Sequence, residues 1–164
     1  MKSFKYIKDF YINLCIVNNS CKDEFYRVTL SKTKKQLLKV VKDNIVWCRG
    51  NNAVSVEILD WFGLKICNDL GIYYKGIEEK ISNKQNLLFL ENFKCKMLDN
   101  SQVGKMLDSS QVGEMWGSST ARLPNNNHQS KKENIKSIND SSQVIDLRNN
   151  KIYVKKSKFE LIQI

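Results

Sequence analysis

The spacing of apolar positions changes along the chain, and each change predicts an element. Residues 4–17 place apolar groups at Phe4, Ile7, Phe10/Tyr11, Leu14 and Val17, one face of a helix; the β-branched and aromatic run 10–17 fits a strand equally well. Asn18-Asn19-Ser20 is a break, and residues 25–30 (Phe-Tyr-Arg-Val-Thr-Leu) read as a strand. Ser31 or Thr33 is placed to cap the next element. In residues 34–43, Leu37, Leu38, Val40 and Val41 fall on one side and Lys34, Lys35, Lys39 and Lys42 towards the other, an amphipathic helix with a basic outer face. The wholly apolar run 45–48 has the character of a buried central strand. Gly50-Asn51-Asn52 turns the chain into a second helix, residues 54–70, which Gly63 can kink or split. Gly71 stands where a helix end wants positive φ, and Ile72-Tyr73-Tyr74 is a further strand. Strand and helix alternate here, which predicts an α/β (α+β) domain over residues 1–95, a small mixed sheet with two helices. Residues 86–97 lead onward as a strand or a short helix.

From Lys96 the pattern becomes a repeat: KMLDNSQVG, KMLDSSQVG, EMWGSSTAR, then Leu123. Met97, Met106 and Met115 align, as do Leu98, Leu107 and Trp116; Asp99, Asp108 and Gly117; Ser101, Ser110 and Ser119; Val103 and Val112; and Gly104 and Gly113. The apolar residues are short-spaced between Asp, Asn and Ser, which bond nearby backbone, and Gly, which supplies positive φ. A nine-residue phrase broken twice is too short for a stable helix and suits short strands joined by turns. The expectation is a β-solenoid-like array over 96–123, each rung burying Val and Met/Leu against the next. A degenerate copy at 140–144 (Asp-Ser-Ser-Gln-Val) leads into a hairpin, with apolar stretches 144–147 and 152–154 around an Arg-Asn-Asn turn. Residues 140–164 are therefore expected to pack on the array as a C-terminal hairpin and tail, and the polar stretch 124–139 to be a mobile loop. Calcium-binding β-rolls share the nine-residue period but carry paired glycines and a further Gly before the Asp; one Gly and one Asp per copy favours a plain structural repeat.

Over residues 96–164 these phrases, with the closing Gly117-Ser118-Ser119-Thr120-Ala121-Arg122-Leu123-Pro124 and the Lys-rich strand after it, resemble tandem nonapeptide arrays of the D-S-S-Q-V-G-E-M-W type. Such arrays occur in uncharacterised proteins encoded by bacteriophages and prophages. The resemblance implies a phage or mobile-element origin; the cytoplasm of a bacterial host cell is the expected compartment. It carries no catalytic residues to transfer.

Charge sharpens the picture. The formal charge is +10, and residues 1–49 hold eleven Lys/Arg against four Asp/Glu. An excess of this kind favours nucleic acid, an acidic protein or an anionic surface as partner, unless it is only the Lys- and Asn-rich composition of an AT-rich genome. Arg27, Lys32, Lys34, Lys35, Lys39, Lys42 and Arg49 form the candidate basic face, which would hold phosphates as point charges without reading sequence. Trp116, where the other copies have Leu, is a candidate contact exposed at the end of the stack.

Catalytic patterns fit poorly. Cys48, followed by Arg49 and a Gly turn, invites a thiolate reading, yet the phosphatase pattern needs an Arg where Val54 stands. Arg49 and the turn amides could hold an anion. The five cysteines make no C-x-x-C pair and His128 has no ligand near it in sequence, so no metal site and no cofactor are expected. Reduced thiols in the cytosol fit the odd count. Asp43, Glu57, Asp60 and Asp69 form no known nuclease spacing, and no Walker or dinucleotide glycine loop occurs. No apolar stretch approaches the roughly 20 residues of a membrane span. The sequence thus predicts a non-enzymatic interaction protein that binds and modulates a host protein or nucleoprotein, such as an anti-CRISPR-like inhibitor of a nucleic-acid-guided defence nuclease. The alternatives are a non-specific RNA- or DNA-binding module using the basic N-terminal third, and a small nuclease or toxin.

Overall fold

The structure is a computed structural model that describes residues 2–91, 93–107, 110–123, 135–147 and 149–155. It is a mixed α/β arrangement whose chain divides into two compact units, Met1–Leu70 and Gly71–Ile164. No described helix is long and apolar enough to cross a membrane.

The first unit is helical throughout its described residues: α1 Phe4–Val17, α2 Lys22–Leu30, α3 Lys34–Asp43, α4 Ile45–Gly50, α5 Val56–Phe62 and α6 Leu64–Asp69. Three of its helix starts, those of α1, α3 and α5, are capped by short polar side chains. Ser3 accepts from the Tyr6 amide (3.1 Å), and Ser55 from the Ile58 amide (3.3 Å). Thr33 and Gln36 form a reciprocal capping box at the start of α3. Gly63, at φ 97°, separates α5 from α6, the split its position suggested. Leu37, Leu38, Ile45, Leu59 and Phe62 are fully buried. The buried Tyr11 hydroxyl donates to the Ala53 carbonyl (2.7 Å).

Two expected strands are helices. Residues 25–30 lie in α2, where only Val28 is buried; acids stand in its first turn and Arg27 in its last, matching the helix dipole. Residues 45–48 lie in α4, which follows α3 through Asn44. Ile45 and Cys48, three apart, are buried while Val46 between them is exposed. A short apolar run does not distinguish strand from helix; here the i, i+3 burial decides for helix. The expected sheet therefore does not form before residue 71, and the two expected helices are six.

The second unit holds ten described strands: β1 Ile72–Tyr73, β2 Ile77–Ser82, β3 Leu87–Phe89, β4 Lys94–Leu98, β5 Gln102–Met106, β6 Gln111–Met115, β7 Thr120–Leu123, β8 Ile135–Ile138, β9 Gln143–Asp146 and β10 Lys151–Val154. They alternate between two sheets, β1-β3-β5-β7-β9-β10 and β2-β4-β6-β8. All pairings are parallel except β9 with β10, a C-terminal hairpin with Asn150 at φ 50° in its turn. Residues 86–97 hold two strands, and residues 135–138, inside the stretch expected to be a loop, are β8. Residues 124–134, His128 among them, and the tail 156–164 lie outside the described residues.

Each nonapeptide spans the end of one strand and the start of the next, so equivalent positions of consecutive copies fall in opposite sheets. Val112 therefore pairs with Cys95 and Ile135, and Val103 with Ala121. The expected stacking of each copy on the next is replaced by stacking on the next but one. The inward residues Cys95, Val112 and Ile135, with Met97 and Met115 and with Val103, Ala121 and Val144, form one buried core capped by Tyr73, Phe89 and Phe93.

The repeat glycines do not turn the chain. Gly104 and Gly113 lie inside β5 and β6 at the places where the ladder slips by one residue: Leu87 pairs with Val103 but Leu88 with Lys105, and Cys95 pairs with Val112 but Met97 with Met115. Both Val and Met of a Val-Gly-x-Met phrase must face inward although they are three apart; a bulge at the glycine restores the alternation. The positive φ falls instead on the fourth repeat position, at Asp99 (55°), Gly117 (68°) and the equivalent Asp140 (52°). Asp and Asn tolerate that region by bonding locally. A serine ladder lines the same corner. Ser101, Ser119 and Ser142 are fully buried; Ser101 donates to the Ile81 carbonyl (3.0 Å), and the Ser119 and Ser142 hydroxyls share a bond of 3.1 Å.

Candidate interaction surfaces

The basic face predicted on the first unit is largely occupied by internal bonds. Arg27 bridges Glu24 (2.8 Å) and Asp43, and its charge is reinforced by the Asp43 and Glu24 carboxylates. Burial pushes the Asp43 carboxyl up, but the bonds from Arg27 and Lys39 outweigh it and hold the group below the usual range. Lys39 reaches Asp43 at 3.3 Å. Lys34 lies over the Trp61 ring, 4.1 Å from its centroid, and bonds the Trp61 carbonyl. Lys42 caps α6 through the Leu70 carbonyl (2.6 Å), and burial lowers its pKa. Arg49 holds the Val54 carbonyl (3.0 Å). Lys32 and Lys35 are exposed. Of the α3 lysines, Lys34 and Lys42 thus reach the Trp61 and Leu70 carbonyls and Lys39 meets Asp43, so several serve as caps and ties within the unit.

Cys48 has the opposite of an activated environment. It is buried in α4, and desolvation pushes its thiol up to about 12. With Cys15, Cys21, Tyr11, Val28 and Trp47 it lines a mainly apolar cavity of about 210 Å³. Asp43 ends α3, Glu57 and Asp60 lie on α5, and Asp69 ends α6 bound to Lys65 at 3.3 Å. Among the described residues no cluster of three or more His, Cys, Asp or Glu could hold a metal ion.

The second unit presents two surfaces that the sequence did not single out. On strands with inward Val and Met, the intervening residues face out, and the glycine of each phrase leaves a hollow there. On the β2-β4-β6-β8 sheet the hollow at Gly113, about 620 Å³, is lined by Lys80, Lys94, Lys96 and Lys136 with Glu78 and Gln111, and by the apolar Ile77 and Leu98. On the other sheet the hollow at Gly104, about 310 Å³, is lined by Asn86, Gln102, Thr120, Arg122 and Gln143. Gln102, Thr120 and Gln143 stand in register across β5, β7 and β9.

Trp116 lies in the corner after β6, a strand paired on both edges, and so not at the end of the stack. It is 41% exposed. Its indole N–H donates to Glu114 (3.0 Å), which also meets Lys96 (3.2 Å). The Trp116 and Lys96 bonds hold the Glu114 carboxyl below its ordinary range. The signal for this surface was present in the sequence as Lys at alternate positions of residues 94–96, but only the sheet order brings Lys80 and Lys136 beside them.

No family model, no curated protein and no solved structure matches this chain.

Proposed function

We propose that the chain is a non-enzymatic interaction protein, a phage-type factor that binds and modulates a host protein or nucleoprotein through the faces of its sheets. The observation that carries this is the contrast between its two kinds of polar group. Side chains with catalytic promise are tied down: the Cys48 thiol is buried and protonated, Arg49 is bound to the Val54 carbonyl, and Asp43 sits in an ion-pair network. Polar side chains on the sheets instead stand out in regular rows across a rigid core.

The same reading takes the second unit as one continuous coil, a short β-solenoid. Backbone bonds from Lys94 to Gly76, Gln102 to Lys84, Leu107 to Phe89 and Gln111 to Phe93 each join residues eighteen positions apart, two nonapeptides. After the bulge in β6 the step becomes nineteen, from Trp116 to Met97 and Thr120 to Ser101. A coil of this kind offers a stiff surface whose side chains are positioned before binding, which lowers the ordering cost of association.

The test is paired. Incubation with labelled RNA, DNA and a peptide library, with and without divalent cations, is expected to give no turnover. Immobilised protein is expected to retain a saturable partner from a bacterial extract, lost when outward residues of β4 and β6 are changed. Turnover that scales with protein concentration and survives repurification would overturn the reading.

A further inference from the structure

We infer that the outward face of the β2-β4-β6-β8 sheet is a binding site for single-stranded nucleic acid, with Lys80, Lys96 and Lys136 on its phosphates and Trp116 as a stacking surface for a base. The inference rests on the interaction-protein reading and names the partner class for one of its faces.

The register places the lysines. Glu78 pairs with Cys95 and Ile81 with Met97, so the register slip in β2 leaves Lys80 among the two residues opposite Lys96. Lys96 precedes Met97, which pairs with Met115, and so lies opposite the Gly113–Glu114 bulge. Val112 pairs with Ile135 and Glu114 with Ser137, which sets Lys136 opposite Gly113. The order across the sheet is therefore Lys80, Lys96, Gly113, Lys136. With neighbouring strands about 4.8 Å apart, the row spans roughly 14 Å. The missing side chain at Gly113 opens the hollow inside this row.

Charge and shape select the occupant. Lys80, Lys94 and Lys136 are exposed, and none has a carboxylate partner among the described residues. Glu78 and Glu114 lie on this surface, and Glu114 is already bound to Lys96. A line of cations with an aromatic ring beside it, after β6, is what sequence-tolerant single-strand binding needs, since phosphates supply the charge and every base has a face to stack. A duplex keeps its bases stacked internally and leaves the ring unused. An acidic peptide would use the lysines but not the ring.

The test is fluorescence anisotropy of a labelled twelve-nucleotide single strand, its duplex form and a poly-glutamate peptide, across a salt series. Full-length protein is expected to bind the single strand most tightly, with affinity falling steeply as salt rises. Lys80→Gln/Lys96→Gln/Lys136→Gln should weaken binding at least tenfold and flatten the log–log salt slope by about 2, near 0.7 per phosphate contact. Trp116→Ala should weaken binding about tenfold at unchanged slope, since stacking carries no counterion term. Glu114→Gln should tighten it, because it removes a repulsive charge and releases Lys96. Far-UV circular dichroism checks that each variant is folded. Absence of single-strand binding at low salt, equal or tighter binding of the duplex or peptide, or loss of binding with Lys35→Gln/Lys39→Gln but not with the triple variant would overturn the inference and leave the interaction-protein reading standing. Cleavage of the strand would overturn that reading as well.

Discussion

Replacing Gly117 by alanine tests the corner on which the repeats turn. Gly117 sits at φ 68°, and a Cβ there would come within 2.8 Å of both the Cα and the carbonyl oxygen of Asp99. Two costs follow. A side chain in the left-handed region costs roughly 1–2 kcal/mol. The contact is with backbone, which cannot rotate away as a side chain can, so relief must come from moving a corner; overpacking of that kind costs about 1–3 kcal/mol. The sum is roughly 2–5 kcal/mol, a large part of the stability of a small unit. Gly104→Ala is the matched control. Its added Cβ would lie 3.7 Å from the Leu87 carbonyl, ordinary contact, and its φ is not in the left-handed region. The expected change there is within about 1 kcal/mol and can be stabilising. Cys95 is the only cysteine of residues 71–164 and is buried, so its rate of alkylation, read by mass spectrometry, reports opening of this unit alone. A loss of 3 kcal/mol corresponds to more than a hundredfold faster labelling at about 1.4 kcal/mol per tenfold. Equal labelling of the Gly117→Ala and Gly104→Ala proteins would refute the corner argument.

Ser119→Ala removes one partner of the buried Ser119–Ser142 bond and should cost about 1 kcal/mol, seen as roughly fivefold faster Cys95 labelling; Ser142 keeps a bond to the Gly117 carbonyl (3.3 Å), which limits the loss. Tyr11→Phe leaves the buried Ala53 carbonyl without its donor and should destabilise the helical unit by roughly 1–3 kcal/mol in urea unfolding, with Cys95 labelling unchanged. In the native protein the exposed Cys21 should react with a thiol reagent at pH 8 well before Cys48 and Cys95, whose thiols burial pushes up to about 12, and near-equal rates would contradict their burial. Because these two pKa values are raised on folding, their contribution to stability is complete below the ordinary thiol value near 9 and is lost as pH rises towards 12; urea midpoints should fall over that window, and less so in Cys48→Ala/Cys95→Ala.

Local chemistry was legible where a few neighbouring residues decide the outcome. Thr33 with Gln36 announces the start of α3, its four apolar positions name the buried side, and Gly63 and Gly71 mark where helices end. The nonapeptide announced short strands, and its Met and Val positions are the core. These features depend on backbone sterics and on spacing within one element, which a sequence carries directly. The apolar runs at 25–30 and 45–48 carried too little of either, and their helical state was set by the helices around them. Tertiary structure alone decided that equivalent positions of the repeat alternate between two sheets, because a strand pairs with whatever the corner geometry returns beside it, and that return comes two phrases later. From this follow the bulge at the repeat glycine, the turn at the repeat Asp, and the row that joins Lys80, Lys96 and Lys136 across 56 positions of chain. Charge was readable as a total; which lysines tie the helical unit together and which stand outward on a sheet is a matter of neighbours in space.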